Sequence, residues 1–211
     1  MFTPEIVSAL EEARIVAVLT LEDPALAPDL GRALLAGGVR VVELTLRTDR
    51  ALESLVAMRS ACPDLIIGAG TVLTPDQVRA VKAAGAAFGV APGCNPRILS
   101  AAVAAGLPFA PGVCTPTDIE QALEAGCTEM KFFPAGTSGG LPHLRAIAAP
   151  FAHRRVRFIP LGGLTLENAP DYLREPSVLA LGGSWIAPAK TVAAKDWSTI
   201  EANARAAANL V

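Results

Sequence analysis

Aromatic residues make up only 5% of this 211-residue chain, too few for a base-stacking platform that would hold single-stranded nucleic acid. Two histidines occur, His143 and His153, which excludes a three-histidine zinc site and the HExxH arrangement. The four cysteines, Cys62, Cys94, Cys114 and Cys127, include no Cys-x-x-Cys pair and read as buried reduced thiols. A net charge of −2 offers no basic surface for sequence-independent binding of nucleic acid. No apolar run approaches the roughly 18 residues of a membrane span. The first segment, MFTPEIVSALEEAR, carries Glu5, Glu11 and Glu12 with no early basic cluster, unlike a signal peptide. No linker, low-complexity tract or charge block divides the chain.

Against these absences stand 52% hydrophobic and 18% charged residues, the balance of a chain with an ordinary core. Folded chains of this length bury roughly 70% of the surface that their unfolded forms expose. A single cytoplasmic domain over residues 1–211 is expected.

The clearest positive feature is a repeat of type rather than of sequence. A short apolar run is followed by turn residues, a helical stretch and a glycine, then another apolar run. The helix ends share the glycines of LLAGG (Gly37), KAAG (Gly85), VAAG (Gly106) and LEAG (Gly126), suited to a left-handed cap. Asp23-Pro24, Thr74-Pro75, Asn95-Pro96 and Thr115-Pro116 each set a capping side chain before a proline fit for the first helical position. Thr74 with Gln77 reads as a capping box.

Between these marks, strands are predicted at Ile15–Leu19, Val41–Thr45, Leu65–Gly70, Phe88–Ala91, Phe109–Gly112, Met130–Phe133, Arg157–Pro160 and Val178–Gly182. An extra helix is expected over Thr3–Ala13 and a last one after Asp196. Eight continuously apolar strands, each followed by a helix, predict an α/β fold of the (β/α)8 TIM-barrel type. A doubly wound open sheet is the rival, but it usually has fewer strands.

In such a barrel the active site lies at the C-terminal ends of the strands. Strand two reads Val41-Val42-Glu43-Leu44-Thr45, and a carboxylate within an apolar strand is costly unless paired or functional. Glu43 and Thr45 share one face, expected to be the lumen. Strand six carries Lys131 in Met130-Lys131-Phe132-Phe133. A Glu43–Lys131 ion pair without chemistry is the plain alternative, yet buried pairs often cost more than they return. Desolvation between two phenylalanines and a nearby cation such as Arg47 both favour a neutral amine. That amine is the nucleophile of Schiff-base catalysis, with Glu43 as proton-transfer partner. The ends of strands four and five, Ala91-Pro92-Gly93 and Pro111-Gly112, are expected at the mouth.

Strand seven ends Pro160-Leu161-Gly162-Gly163, with Thr165 as the next helix cap, and strand eight ends Leu181-Gly182-Gly183-Ser184. Glycine turns after strands seven and eight make the phosphate site common in these barrels, so a phosphorylated substrate is expected.

The segments GGVRVVELTLRT (Gly37–Thr48), GAGTVL (Gly68–Leu73), MKFFPA (Met130–Ala135), PLGG (Pro160–Gly163) and LGGSW (Leu181–Trp185) resemble 2-keto-3-deoxy-6-phosphogluconate (KDPG) aldolase. That family also includes enzymes acting on 4-hydroxy-2-oxoglutarate. The resemblance spans the chain from Ile15 to the last helix. It implies a class I aldolase of the Entner–Doudoroff pathway, a homotrimeric barrel with no metal or cofactor, handling a phosphorylated keto-deoxy sugar acid, pyruvate and glyceraldehyde 3-phosphate.

The implied roles are Lys131 for the Schiff base and Glu43 for acid–base catalysis. Arg47 and Thr71 would hold the pyruvyl carboxylate end, and Phe133 and Pro92 would wall the site. Gly162, Gly163, Gly183 and Ser184 would take the phosphate. Many members carry Thr-Gly-Gly where this chain has Leu161-Gly162-Gly163, so the resemblance implies looser selection at C4 between gluconate- and galactonate-derived substrates.

The rivals are an aldolase for 4-hydroxy-2-oxoglutarate or for the galactonate epimer, a metal-dependent pyruvate aldolase, another phosphate-binding barrel enzyme such as an isomerase, and a non-catalytic trimeric scaffold. The metal enzyme would need a carboxylate or histidine cluster, the isomerase gives no reason for Lys131, and the scaffold none for the Lys131, Glu43 and Arg47 set.

Overall fold

The computed structural model describes all 211 residues. Helices α1 (Pro4–Ala13), α2 (Ala27–Ala36), α3 (Ala51–Ala61), α4 (Pro75–Ala83), α5 (Pro96–Ala105), α6 (Pro116–Glu124), α7 (Gly140–Ala148), α8 (Ala169–Leu173), α9 (Ala189–Ala193) and α10 (Trp197–Ala208) accompany nine short strands. The strands are β1 (Ile15–Leu19), β2 (Val41–Thr45), β3 (Ile66–Gly70), β4 (Phe88–Val90), β5 (Phe109–Ala110), β6 (Gly112–Val113), β7 (Glu129–Phe132), β8 (Arg157–Pro160) and β9 (Leu181–Gly183).

All pairings are parallel. One sheet has the order β5-β4-β3-β2-β1-β9 and a second the order β6-β7-β8. The expected fifth strand, Phe109–Gly112, is thus divided. Pro111 has no N–H to give a ladder, so β5 pairs with β4 while β6 pairs with β7. The expected eighth strand, Val178–Gly182, begins later, at Leu181. Val178 makes an isolated bridge to Phe158, and Leu161 another to Gly182. The architecture is an α/β fold with a six-stranded parallel sheet and a facing three-stranded one.

Side chains alternate between two cores. Val42, Leu44, Met130 and Phe132 join the large cluster between strands and helices. Val16, Val41, Phe88, Val90, Ile159 and Leu161 fill a smaller cluster between the facing sheets. Phe2 and Leu10 of the N-terminal segment seal its lower end, with the Phe2 ring edge-on to Phe88. No helix is long and apolar enough to cross a membrane.

The caps expected at Asp23, Thr74, Asn95 and Thr115 form, and Thr3 and Asp196 make two more. Thr3, Thr74, Asn95, Thr115 and Asp196 each accept a backbone N–H at a helix start, while Asp23 caps a short 3-10 turn, Pro24–Leu26. Thr115 builds a full capping box with Asp118. The Gln77 side chain accepts from Leu73, one residue before the cap, so Thr74 and Gln77 make only half of theirs. Thr165 caps a turn closed with Asn168, and α8 starts one residue later. Gly85, Gly106 and Gly126 are left-handed as expected. At LLAGG the positive φ belongs to Gly38, because Gly37 still closes α2 in a right-handed conformation.

Candidate active site

The period-two pattern turns Glu43 of β2 and Lys131 of β7 inward from different sheets. Lys131 Nζ donates to Glu43 Oε1 at 2.8 Å, and the two residues are 3% and 2% exposed, respectively. The pair survives this burial because each charge is the other's partner. Gly70, beside Glu43 on β3, makes room for the carboxylate: a Cβ there would overlap Glu43 Oε1 and Cδ. The Phe133 ring lies 5.3 Å from Lys131 Nζ. Phe132, one residue earlier, points to the opposite face, packs on His143 and does not desolvate the lysine. The expected pair of flanking phenylalanines is therefore one ring.

Above this pair opens a cavity of about 280 Å³. It is lined by Arg47, Lys131, Phe133, Leu161, Gly162, Gly163, Gly183 and Ser184, all singled out from sequence. Arg47 is exposed and makes no ion pair or hydrogen bond within the chain, leaving its guanidinium free to meet an anion. Gly162 and Gly163 have φ of +89° and +77°, a turn that β-carbons would strain. A Cβ at Gly162 would also press on the Phe133 ring at 3.1 Å. The N–H groups of Gly162, Gly163 and Ser184 donate to no backbone acceptor. They form a donor-lined edge suited to a phosphate. Gly183 is needed by Trp185, whose ring occupies the place of a Cβ there.

Glu43 lies beneath the cavity rather than in its wall. Thr71 and Pro92, at the ends of β3 and β4, are not among the lining residues. Thr71 has φ +59°, a costly conformation for a β-branched residue. Pro92 is held by the backbone at Gly112, where a Cβ would collide with its carbonyl.

Sequence reasoning missed Val18, Thr20, Leu164, Gly182, Ala187 and Ala189, which also line the cavity. Counting by twos along β1 from Val16 would have reached Val18 and Thr20.

All four cysteines are free. Cys62 and Cys127 are buried, while Cys94 and Cys114 are half-buried, which corrects the expectation for these two. Burial, with Asp118 adding, pushes the Cys94 thiol up to about 11. It stays protonated and is no rival nucleophile near neutral pH. His153 is exposed, and His143 sits on α7 with Nε2 2.8 Å from the Cys114 carbonyl. No three His, Cys, Asp or Glu side chains converge.

The sequence model of the family described as KDPG and KHG aldolase matches residues 6–203. The chain belongs to this family. A 2-dehydro-3-deoxy-phosphogluconate aldolase of Treponema pallidum is 46% identical over 197 residues, 93% of each chain. A solved KDPG aldolase from Legionella pneumophila, with pyruvate captured at low pH as a covalent carbinolamine intermediate, is 38% identical. It superposes with a TM-score of 0.90, covering 95% of this chain and 97% of that one. The KDPG aldolase of Zymomonas mobilis with 3-phosphoglycerate is 39% identical, with a TM-score of 0.91 and coverage of 99% and 98%. The inward lysine–glutamate pair and the glycine turns thus stand in a KDPG and KHG aldolase fold.

Proposed function

We propose that the protein is a Schiff-base aldolase that reversibly cleaves KDPG to pyruvate and glyceraldehyde 3-phosphate. The observation that carries this reading is the buried Lys131–Glu43 contact of 2.8 Å at the floor of a cavity edged by free backbone donors.

Glu43 accepts a proton from Lys131, and the neutral Nζ attacks the C2 carbonyl to give a carbinolamine. Glu43 returns the proton to the carbinolamine hydroxyl, which leaves as water, and the iminium forms. The iminium is a better electron sink than the ketone. Glu43, directly or through a water, then takes the C4 hydroxyl proton. The C4–O electrons form the aldehyde, the C3–C4 bond breaks, and its electrons pass into an enamine. Glyceraldehyde 3-phosphate leaves. Protonation at C3 restores the iminium, and water releases pyruvate and free Lys131.

Arg47, with Thr71 on the β3 side, holds the carboxylate in this reading. Phe133 and Pro92 wall the reacting carbons, and Gly162, Gly163, Gly183 and Ser184 hold the phosphate. No metal or cofactor is required.

The finer architecture is a closed (β/α)8 barrel. It is supported by the single residue, Pro111, between β5 and β6, and by the isolated Phe158–Val178 and Leu161–Gly182 bridges, which join the segments around β8 and β9. A homotrimer acting in the cytoplasm is the accompanying reading, resting on the family resemblance.

Borohydride reduction with pyruvate, followed by peptide mass mapping, is expected to leave a stable adduct on Lys131; a folded protein without an adduct would falsify the imine. The KHG half of the family name favours 4-hydroxy-2-oxoglutarate as the second candidate substrate. A KM independent of the substrate's phosphate would favour it over KDPG.

A further inference from the structure

Thr20 follows β1 on the face of Val16 and Val18, is half-buried, and lines the cavity. Its Oγ1 lies 2.8 Å from Thr45 Oγ1. Thr45 is fully buried, and its hydroxyl donates to the Leu19 carbonyl at 2.9 Å. A hydroxyl has one proton. Because Thr45 spends its proton on a carbonyl, which can only accept, the Thr20–Thr45 bond runs in one direction, with Thr20 as donor. Thr20 therefore offers the cavity lone pairs only. It repels a phosphate oxygen or a carboxylate and accepts from a substrate O–H.

Strand order says which O–H. β1 lies between β9, which carries the Gly183–Ser184 end, and β2, which carries Glu43 and leads to Arg47. A KDPG molecule held at both ends passes its middle carbons over β1. C3 carries no hydroxyl, the C4 hydroxyl yields its proton in the cleavage, and C6 bears the phosphate. The C5 hydroxyl is the one donor left without a partner. We infer that Thr20, set as an obligate acceptor by Thr45 and Leu19, is a specificity-determining residue that accepts the hydrogen bond of the substrate's C5 hydroxyl. The inference rests on the proposed function above.

The test runs in the condensation direction with pyruvate. One aldehyde is glyceraldehyde 3-phosphate, whose C2 becomes C5. The other is its 2-fluoro analogue, which keeps the inductive pull but has no proton to give. The reading is the ratio of kcat/KM for the two aldehydes. Thr20→Val is expected to lower the wild-type preference for the hydroxyl compound about three- to tenfold, and Thr20→Ser to retain it. Thr20→Ala gives the same reading should the valine variant fold poorly. An unchanged ratio in the Val and Ala variants overturns the inference. Wild-type protein with pyruvate and borohydride separates the two failures: an adduct with an unchanged ratio removes Thr20 alone, and no adduct removes the aldolase reading as well.

Discussion

At the floor of the cavity Glu43 and Lys131 are almost wholly withdrawn from water, whereas at its mouth Arg47 and Ser184 stand exposed. The floor is made of side chains on strand interiors, fixed by neighbours such as Gly70 and Phe133. The mouth is made largely of backbone, in turns where glycine removes side chains. Proton transfer needs groups held at hydrogen-bond distance in a dry place. Anion binding needs unpaired donors and room. One cavity meets both demands by changing its material along its depth.

Breaking the floor should have the largest effect. Lys131→Ala is expected to abolish pyruvate release, and also to cost about 3–5 kcal/mol of stability by stranding the Glu43 carboxylate. Replacing both charges, with Lys131→Met and Glu43→Leu, should recover most of that stability while activity stays lost, as denaturant melts beside assays would report. A double variant as unstable as the single one would mean that the pair is there for the fold.

Next comes the geometry of the base. Glu43→Gln should lower kcat by about 10²–10⁴-fold. Gly70→Ala should lower it by about 10²-fold, because an intruding Cβ displaces the carboxylate. A fully active Gly70→Ala enzyme would show that Glu43 need not lie where it does.

The mouth should be the most forgiving. Leu161 is buried over Gly182, where its Cγ would stand 3.0 Å from a Cβ. Leu161→Thr should sharpen the preference between C4 epimers by only about two- to tenfold. Identical epimer ratios for Leu161 and Leu161→Thr proteins would remove C4 selection from this position.

The same contrast governs what could be read in advance. Glu43 and Lys131 stood out because a charge inside an apolar strand is expensive, and the strands around them fell almost residue for residue where expected. The glycine turns were legible as pairs, and their place after the seventh and eighth expected strands pointed to a phosphate before any resemblance was drawn. Phe132 was misplaced because adjacency in sequence is not adjacency across a pleat. The split at Pro111 was missed because two-residue ladders are decided by which N–H groups exist rather than by hydrophobicity. Thr20 and Gly70 were silent for a deeper reason. Threonine and glycine are ordinary at strand ends, and what makes them particular, the proton of Thr45 and the bulk of Glu43, belongs to other strands.

The division at Pro111 also bears on when the enzyme becomes active as it folds. Glu43 belongs to the larger sheet and Lys131 to the smaller, 88 residues away in sequence, so neither sheet alone contains both members of the pair proposed to react. In the proposed mechanism, catalytic competence arrives only when the two halves dock, a long-range event that carries the loop-closure cost of distant contacts. In the same mechanism it would be lost again if the β8–β9 seam opened locally. Imine formation with pyruvate is thus a chemical stopwatch for that docking.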